Sequence, residues 1–300
     1  MNRVSVLLST YNGKKYLKQQ LDSLFKQTYA NFDIIVRDDN SKDESIEILK
    51  SYNVELMSYG KNIGPKGSFS TLLEYSLAKS SQYFMFCDQD DLWEADKIEK
   101  TLKKMQSLES KFGNIPLLVH TNLEVVDEDL QTIDKSFWHF EQINPNMNDF
   151  NKLLVQNTIT GCTVMINRKL AELAMPIPDE AIMHDWWLGL IASKFGKISH
   201  LDKALIKYRQ HAQNSIGANG FGIDYIINKI FTAIDLMPHQ KQAKAFLDIY
   251  RNILDEATIE MLEEFSTLES QLFWQKRKIL LKYKLLKQGI IRNMGLLLKI

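Results

Sequence analysis

A pattern that occurs four times constrains this chain most: a short apolar run, a polar exit, then a segment with helical spacing. Val4–Leu8 is rich in β-branched residues and leads into Ser9-Thr10-Tyr11-Asn12-Gly13, a loop signal. Leu17, Leu21, Leu24 and Phe25 then share one helical face. Phe32–Val36 reads as a second strand and exits through Arg37-Asp38-Asp39-Asn40. Ser41 and Glu44 spell a capping box for the next helix, with Ile46 and Leu49 inward. Val54–Tyr59 is a third strand, Lys61–Gly67 a loop, and Phe69, Leu72, Leu73 and Leu77 the inner face of a helix. Tyr83–Cys87 is a fourth strand, apolar throughout, and its exit is Asp88-Gln89-Asp90-Asp91. Ile98, Leu102 and Met105 mark a helix beyond it, beginning near Trp93.

Strands spaced by helices predict an α/β fold, with a mostly parallel, mixed sheet flanked by helices. In such sheets ligands bind beyond the carboxyl ends of the strands. The unusual polar residues fall there: Thr10, Tyr11 and Asn12 after the first strand, Asp38 and Asp39 after the second, Asp88 to Asp91 after the fourth. Further on, Leu117–Asn122 and Thr160–Ile166 read as strands, with an aperiodic, aromatic-studded stretch, Asp127–Phe150, between them. An aromatic-rich helix follows Asp185, Ala204–Arg209 is strand-like, and from about Ile223 the chain reads as helical.

A chain of 300 residues with 45% hydrophobic content fills one large α/β domain plus an appendage. Its formal charge of zero gives no electrostatic case for nucleic acid. Cys87 and Cys162, both in apolar stretches, form no metal-ligand spacing and fit a reducing, cytoplasmic setting. There is no uninterrupted apolar run of about 18 residues, so a spanning helix is not expected.

Carboxylates packed as tightly as Asp88, Asp90 and Asp91 raise one another's pKa, and a cation relieves the repulsion. Oxygen ligands with no adjacent His, and with Cys87 inside an apolar stretch rather than in a metal-ligand spacing, point to Mg²⁺ or Mn²⁺, which commonly share their shell with substrate phosphates. The competing reading is an acidic start to the helix near Trp93. Asp38-Asp39 would accept hydrogen bonds from a nucleotide, or simply form a solvated turn; Asn62 and Lys66 would border that pocket, or be turn residues. Asp185 beside Trp186 and Trp187 places a carboxylate against apolar surface, which raises its pKa toward base function, and tryptophan faces stack on sugars. The alternative is an N-cap with core tryptophans. Arg209 could bind phosphate and His211 the metal, unless both are loop residues, and Gly217, Gly220 and Gly222 suggest a lid.

Taken in order, Ser9–Gly13, Val36–Ser41, Asn62-Ile63-Gly64, Asp88–Asp91, Gly161-Cys162-Thr163 and His184-Asp185-Trp186-Trp187 resemble inverting glycosyltransferase family 2, whose fold is GT-A. Cys87–Trp93, Met183–Trp186 and Tyr208–His211 are similar in spelling to bacterial polysaccharide rhamnosyltransferases. The resemblance, over about residues 1–220, implies a catalytic domain 1–222, with a nucleotide-sugar half to about 115 and an acceptor half from about 116. A helical region, 223–300, follows. It implies nucleotide-sugar contacts from Thr10, Tyr11, Asn12, Asp38, Asp39, Asn62, Lys66, Asp88 and Arg209. It also implies metal ligation by Asp88, Asp90 and His211, a general base at Asp185, and acceptor contacts from Trp186 and Trp187. The donor it suggests is dTDP-L-rhamnose, and the acceptor a cell-surface polysaccharide or its lipid-linked precursor. The Gln-x-x-Arg-Trp element and membrane helices of processive synthases are absent, and Asn40 stands where the family often has Gly.

Residues 271–300 carry Lys276, Arg277, Lys278, Lys282, Lys284, Lys287, Arg292 and Lys299 with no Asp or Glu, interleaved with Phe273, Trp274 and many leucines. Such a basic amphipathic segment predicts an anionic membrane surface as partner, at the inner face of the cell membrane; packing on the catalytic domain or on a second subunit of a homodimer is the alternative. Two other functions compete. A sugar nucleotidyltransferase would show a Gly-rich, Arg-containing loop after the first strand, and a non-catalytic nucleotide-sugar-binding protein would not need Asp88, Asp90 and Asp185 intact.

Overall fold

The computed structural model describes residues 2–57, 60–211 and 235–300. Its first half follows the alternating pattern: β1 (Val4–Thr10), α1 (Leu17–Leu24), β2 (Phe32–Asp38), α2 (Ser45–Lys50), β3 (Glu55–Leu56), α3 (Gly64–Leu77) and β4 (Tyr83–Cys87). Then come β5 (Leu92–Trp93), α4 (Lys97–Phe112), β6 (Leu117–Val126), β7 (Thr132–Asp134), α5 (Phe137–Phe140) and α6 (Phe150–Leu153). A 3₁₀ turn (Gly161–Thr163) precedes β8 (Met165–Asn167), α7 (Arg168–Ala174), α8 (His184–Phe195) and β9 (Lys197–Arg209). Beyond residue 235 lie α9 (Met237–Tyr250), α10 (Glu256–Ser266), α11 (Phe273–Lys282) and α12 (Ile290–Lys299). The proposed lid glycines Gly217, Gly220 and Gly222, the start of the helical region near Ile223, and the last two residues of the third expected strand lie outside the described residues.

The described strands form one sheet in the order β3-β2-β1-β4-β8-β6-β9-β5, with β7 on β6. The first four are parallel; β8 runs antiparallel to both β4 and β6, and β6 and β9 are again parallel. The two-residue period of the strands divides the core in two. Leu7, Ile35, Phe84 and Phe86 pack under α3, α7 and α8, while Val6, Leu8, Ile34, Val36 and Met85 pack under α1, α2 and α4. The C-terminal helices extend the first core: Phe246, Tyr250, Leu262, Leu280 and Leu296 join Trp187 and Leu188 of α8.

Several local expectations need correction. Leu92–Trp93 does not open a helix; it pairs antiparallel with Ile206 and Lys207 of β9. A two-residue strand stapled by a distant partner leaves no periodic signal. Thr160–Ile166 is a 3₁₀ turn followed by a short strand. There is no Ser41–Glu44 capping box: α2 begins at Ser45, and the Ser41 hydroxyl instead donates to Asp38 Oδ2 (2.5 Å). Gly64 to Gly67 belong to α3 rather than a loop. Phe25 lies past the end of α1, half exposed against the Tyr52 ring.

Candidate active site

The register of the parallel strands builds the site. Thr10 at the end of β1 sits opposite Asp38 at the end of β2, and the Asp39 N–H donates to the Thr10 carbonyl (2.7 Å). From there the chain turns away, and Asp39 faces the N-terminus of α3. Its carboxylate accepts from the backbone N–H groups of Ile63 (2.9 Å) and Gly64 (2.8 Å) and pairs with the buried Arg37 guanidinium. Arg37 also donates to Ser68 Oγ (2.6 Å) and the Lys61 carbonyl (3.1 Å). Asp39 Oδ2 accepts only the Gly64 N–H among these bonds, which leaves it acceptor capacity, and Asp39 lines a cavity with Tyr11 and Asn62.

The β1 and β4 exits are tied together by Gln89, which the sequence reading gave no role. Its Oε1 accepts from Thr10 Oγ1 (2.6 Å) and the Tyr11 N–H (2.8 Å), and its Nε2 donates to the Tyr11 carbonyl (3.1 Å). A Cβ at Gly13 would lie 2.4 Å from Gln89 Oε1, so a larger residue there would push the amide off these bonds. The neutral residue in an acidic cluster was the available signal.

Asp88 and Asp90 line a cavity of about 670 Å³ that runs from Tyr11, Asp39 and Asn62 to Asp185 and Trp186. Loss of water on burial, with the charges of Asp90 and Asp185 nearby, pushes the Asp88 carboxyl up to about 7. Burial also raises Asp90, although His211 opposes it: His211 Nε2 lies 3.0 Å from Asp90 Oδ2, and its ring stacks on Tyr16. Asp91 is fully buried behind them. One of its oxygens accepts from the Arg209 N–H (3.2 Å), and the other has no hydrogen-bond partner among the described residues. Burial holds Asp91 well above the carboxylate range. Beneath lies the buried Lys97, its ammonium 3.6 Å from the Trp93 ring centroid, and burial pushes it down to about 7 despite the nearby charge of Asp91.

Oxygens of Asp88 and Asp91 and the sulfur of Cys162 come within 4.8 Å of one another. Burial pushes the Cys162 thiol up, so it stays protonated and soft, a poor ligand for Mg²⁺ or Mn²⁺. The oxygens of Asp88 and Asp91 fit such an ion, being short of water with one orphaned at Asp91, while the expected ligands Asp90 and His211 meet each other and do not join Asp88 in that group. The alternative of a helix-capping acidic cluster loses its helix, since β5 follows Asp91.

Asp185 occupies the first turn of α8. Its Oδ1 accepts from the Trp186 N–H (2.8 Å) and its Oδ2 from Asn157 Nδ2 (3.1 Å). Burial pushes its carboxyl up to about 6, against these hydrogen bonds. His184, wedged between Phe69 and Phe86, is held neutral by burial, down to about 3. Asn157 was missed in the sequence, where it lies in a segment with no motif.

Other expected contacts are placed elsewhere. Asp38 is buried, accepting from the Ser41 N–H (2.8 Å) and hydroxyl, so it shapes the turn. Asn12, at φ +49°, donates its N–H to Ser41 Oγ (2.8 Å) and accepts from the Lys42 N–H (2.8 Å). Lys66 Nζ donates to the carbonyls of Asp179 (2.5 Å) and Ala181 (2.9 Å), anchoring the approach to α8. Arg209 is buried and donates to Gln19 and to the carbonyls of Asp90 and Glu128. Trp186 lines the cavity, its indole donating to the Leu153 carbonyl (2.5 Å), whereas Trp187 is a core residue packed on Phe246 and Tyr250. None of Asp38, Asn12, Lys66, Arg209 or Trp187 is among the residues that line the cavity.

Comparison with known proteins agrees with this architecture. A UDP-Glc:alpha-D-GlcNAc-diphosphoundecaprenol beta-1,3-glucosyltransferase of Escherichia coli is 30% identical over 225 residues, 73% of this chain and 81% of that protein. The dTDP-rhamnosyl transferase RfbG of Shigella flexneri is 25% identical, over 71% of this chain and 74% of its own. The chain spans 64% of the length of two uncharacterised Rickettsia glycosyltransferases that it also matches. Staphylococcus aureus TarS, solved with UDP, superimposes with a TM-score of 0.55 at 20% identity, covering 88% of this chain and 70% of that one. Residues 5–173, more than half of the chain, match the model of glycosyl transferase family 2. With its sheet and its polar strand exits arranged as in a GT-A fold, the chain belongs to glycosyltransferase family 2.

Proposed function

We propose that this protein transfers a sugar from a nucleoside-diphosphate donor to a hydroxyl of a bacterial cell-surface saccharide or its lipid-linked precursor, with inversion. One observation carries this: a single cavity holds Asp88 and Asp90 together with a buried, protein-oriented Asp185. Tyr11, Asp39 and Asn62 border the nucleoside. Asp88 and Asp90, with His211 beside Asp90, would hold Mg²⁺ or Mn²⁺, which supplies charge neutralisation for the departing diphosphate. Asp185, oriented by Asn157 and the Trp186 N–H, takes the acceptor hydroxyl's proton as that oxygen attacks the anomeric carbon from the opposite side. Trp186 offers the acceptor a ring surface.

Among the described residues no helix is long and apolar enough to cross a membrane. The exposed aromatic and basic face of α11 and α12 would place the enzyme on an anionic lipid surface, where lipid-linked acceptors lie.

The Shigella relative is named for dTDP-rhamnose and the E. coli relative for UDP-glucose. A thermal-shift panel of dTDP-L-rhamnose, UDP-sugars and GDP-sugars, each with and without Mn²⁺, tests the reading. One donor should stabilise the protein, and more so with Mn²⁺. Absence of stabilisation by every nucleotide-sugar would sink it.

A further inference from the structure

Gln89 is the neutral side chain between Asp88 and Asp90, and its hydrogen bonds run across to the exit of β1. We propose that Gln89 is a positioning residue for the nucleoside. It holds the Tyr11 backbone so that the Tyr11 ring forms the wall on which the donor's base lies, and it acts through Tyr11 rather than by touching the donor. This rests on the glycosyl-transfer reading above.

The bonding pattern accounts for an amide among carboxylates. The β1 exit presents two donors, the Thr10 hydroxyl and the Tyr11 N–H, and one acceptor, the Tyr11 carbonyl. A primary amide meets all three with one side chain. A carboxylate would accept the two donors but set its other oxygen against the Tyr11 carbonyl. It would also add a fourth carboxyl beside Asp88, Asp90 and Asp91.

The rest of this loop is held from the opposite flank. The N–H groups of Asn12 and Gly13 donate to Ser41 Oγ and Ser45 Oγ, each at 2.8 Å, and the Asn12 side chain accepts from the Lys42 N–H (2.8 Å). These contacts come from the β2 exit and the start of α2, and they bypass Tyr11. The N–H and carbonyl of Tyr11 both go to Gln89 instead. Beyond that fixed backbone the Tyr11 ring is 47% exposed and lines the cavity beside Asp39 and Asn62. A ring whose backbone is fixed before the ligand arrives spares binding the cost of ordering it.

The test is calorimetric binding of UDP, dTDP and GDP, each with Mn²⁺, to the full chain, with the tightest taken forward. Gln89→Met keeps the side-chain length and loses all three bonds. It should weaken that nucleotide about tenfold, and Tyr11→Ala should do the same, since stacking on an aromatic ring contributes about that much per base. The double variant should bind no more weakly than the weaker single one, because both changes remove one wall. In the free protein, exchange of the Tyr11 amide proton, read by NMR, should speed up in Gln89→Met and stay slow in Gln89→Glu, which keeps the acceptor. Additive losses in the double variant would mean that Gln89 meets the nucleotide itself, and overturn the proposal. Undiminished affinity, or unchanged Tyr11 exchange, in Gln89→Met also overturns it while leaving the donor reading in place. Failure of all three nucleotides to bind the unaltered protein removes the donor reading and this role together.

Discussion

At Asp185 two opposing demands meet: a general base must be ionised to act, yet the site holds it away from water. Burial raises its carboxyl from 3.8 to about 6, and bonds from Asn157 and the Trp186 N–H keep it from rising further. Turnover should therefore fall as pH drops through about 6, the range in which this carboxylate takes up a proton. The stability linkage has the opposite sense: the stability this group contributes is present below its unfolded value and lost as pH rises through about 6. Asp185→Asn should lower turnover by about 100- to 10,000-fold with donor affinity unchanged, and remove the acid limb from the pH profile. Lost donor affinity in calorimetry with turnover preserved would refute the role. The pairing of Asp185 with an aromatic helix was legible in sequence. The uses of Asp38, Lys66 and Arg209 were not, because a polar side chain at a strand exit reads alike whether a ligand or the protein's own backbone takes its bonds. Each has protein partners here.

Among the elements, the exit of β2 shows how one side chain serves fold and site together. Asp39 caps α3 through the Ile63 and Gly64 N–H groups and neutralises the buried Arg37. Asp39→Ala would strand that guanidinium, costing about 3–5 kcal/mol in a urea melt with no ligand present. Asp39→Asn keeps an acceptor oxygen, so it should cost less stability. It should still weaken nucleotide binding by about tenfold, since a hydrogen bond to a charged acceptor contributes about 1.5–3 kcal/mol. Equal nucleotide affinity in Asp39→Asn would mean that Asp39 serves the fold alone. Strands and helices up to β4 could be read from their apolar period, because local spacing decides them. Beyond β4, Leu117–Asn122 and Ala204–Arg209 were legible inside β6 and β9, but β5 and the bounds of β8 were not: β5 pairs with β9, and β8 lies between β4 and β6, so their signal lies in distant partners.

Taken whole, the molecule uses its last thirty residues in two directions. Ile279, Leu280, Leu285 and Leu296 are buried in the core shared with α8, whereas Trp274 is 77% and Leu298 73% exposed. Part of the basic charge is matched within the protein: Lys282 meets Glu260 and Glu264, and Lys276 meets Glu269. Packing on the catalytic domain thus occupies one face of these helices, and the lipid surface proposed above would take the other. Removing 271–300 would strip the core and could not isolate the surface. Trp274→Glu with Leu298→Glu changes only exposed side chains, near the groove that Arg277, Lys278 and Leu281 line. This double variant should keep its melting temperature and its donor affinity. Its partition onto phosphatidylserine-containing vesicles should fall at least tenfold, because each buried aromatic or leucine anchor is replaced by a charge that anionic lipid repels. Undiminished vesicle binding would assign this face to something other than a membrane. Binding that is equally strong on neutral vesicles would show that the lysines and arginines take no part in it.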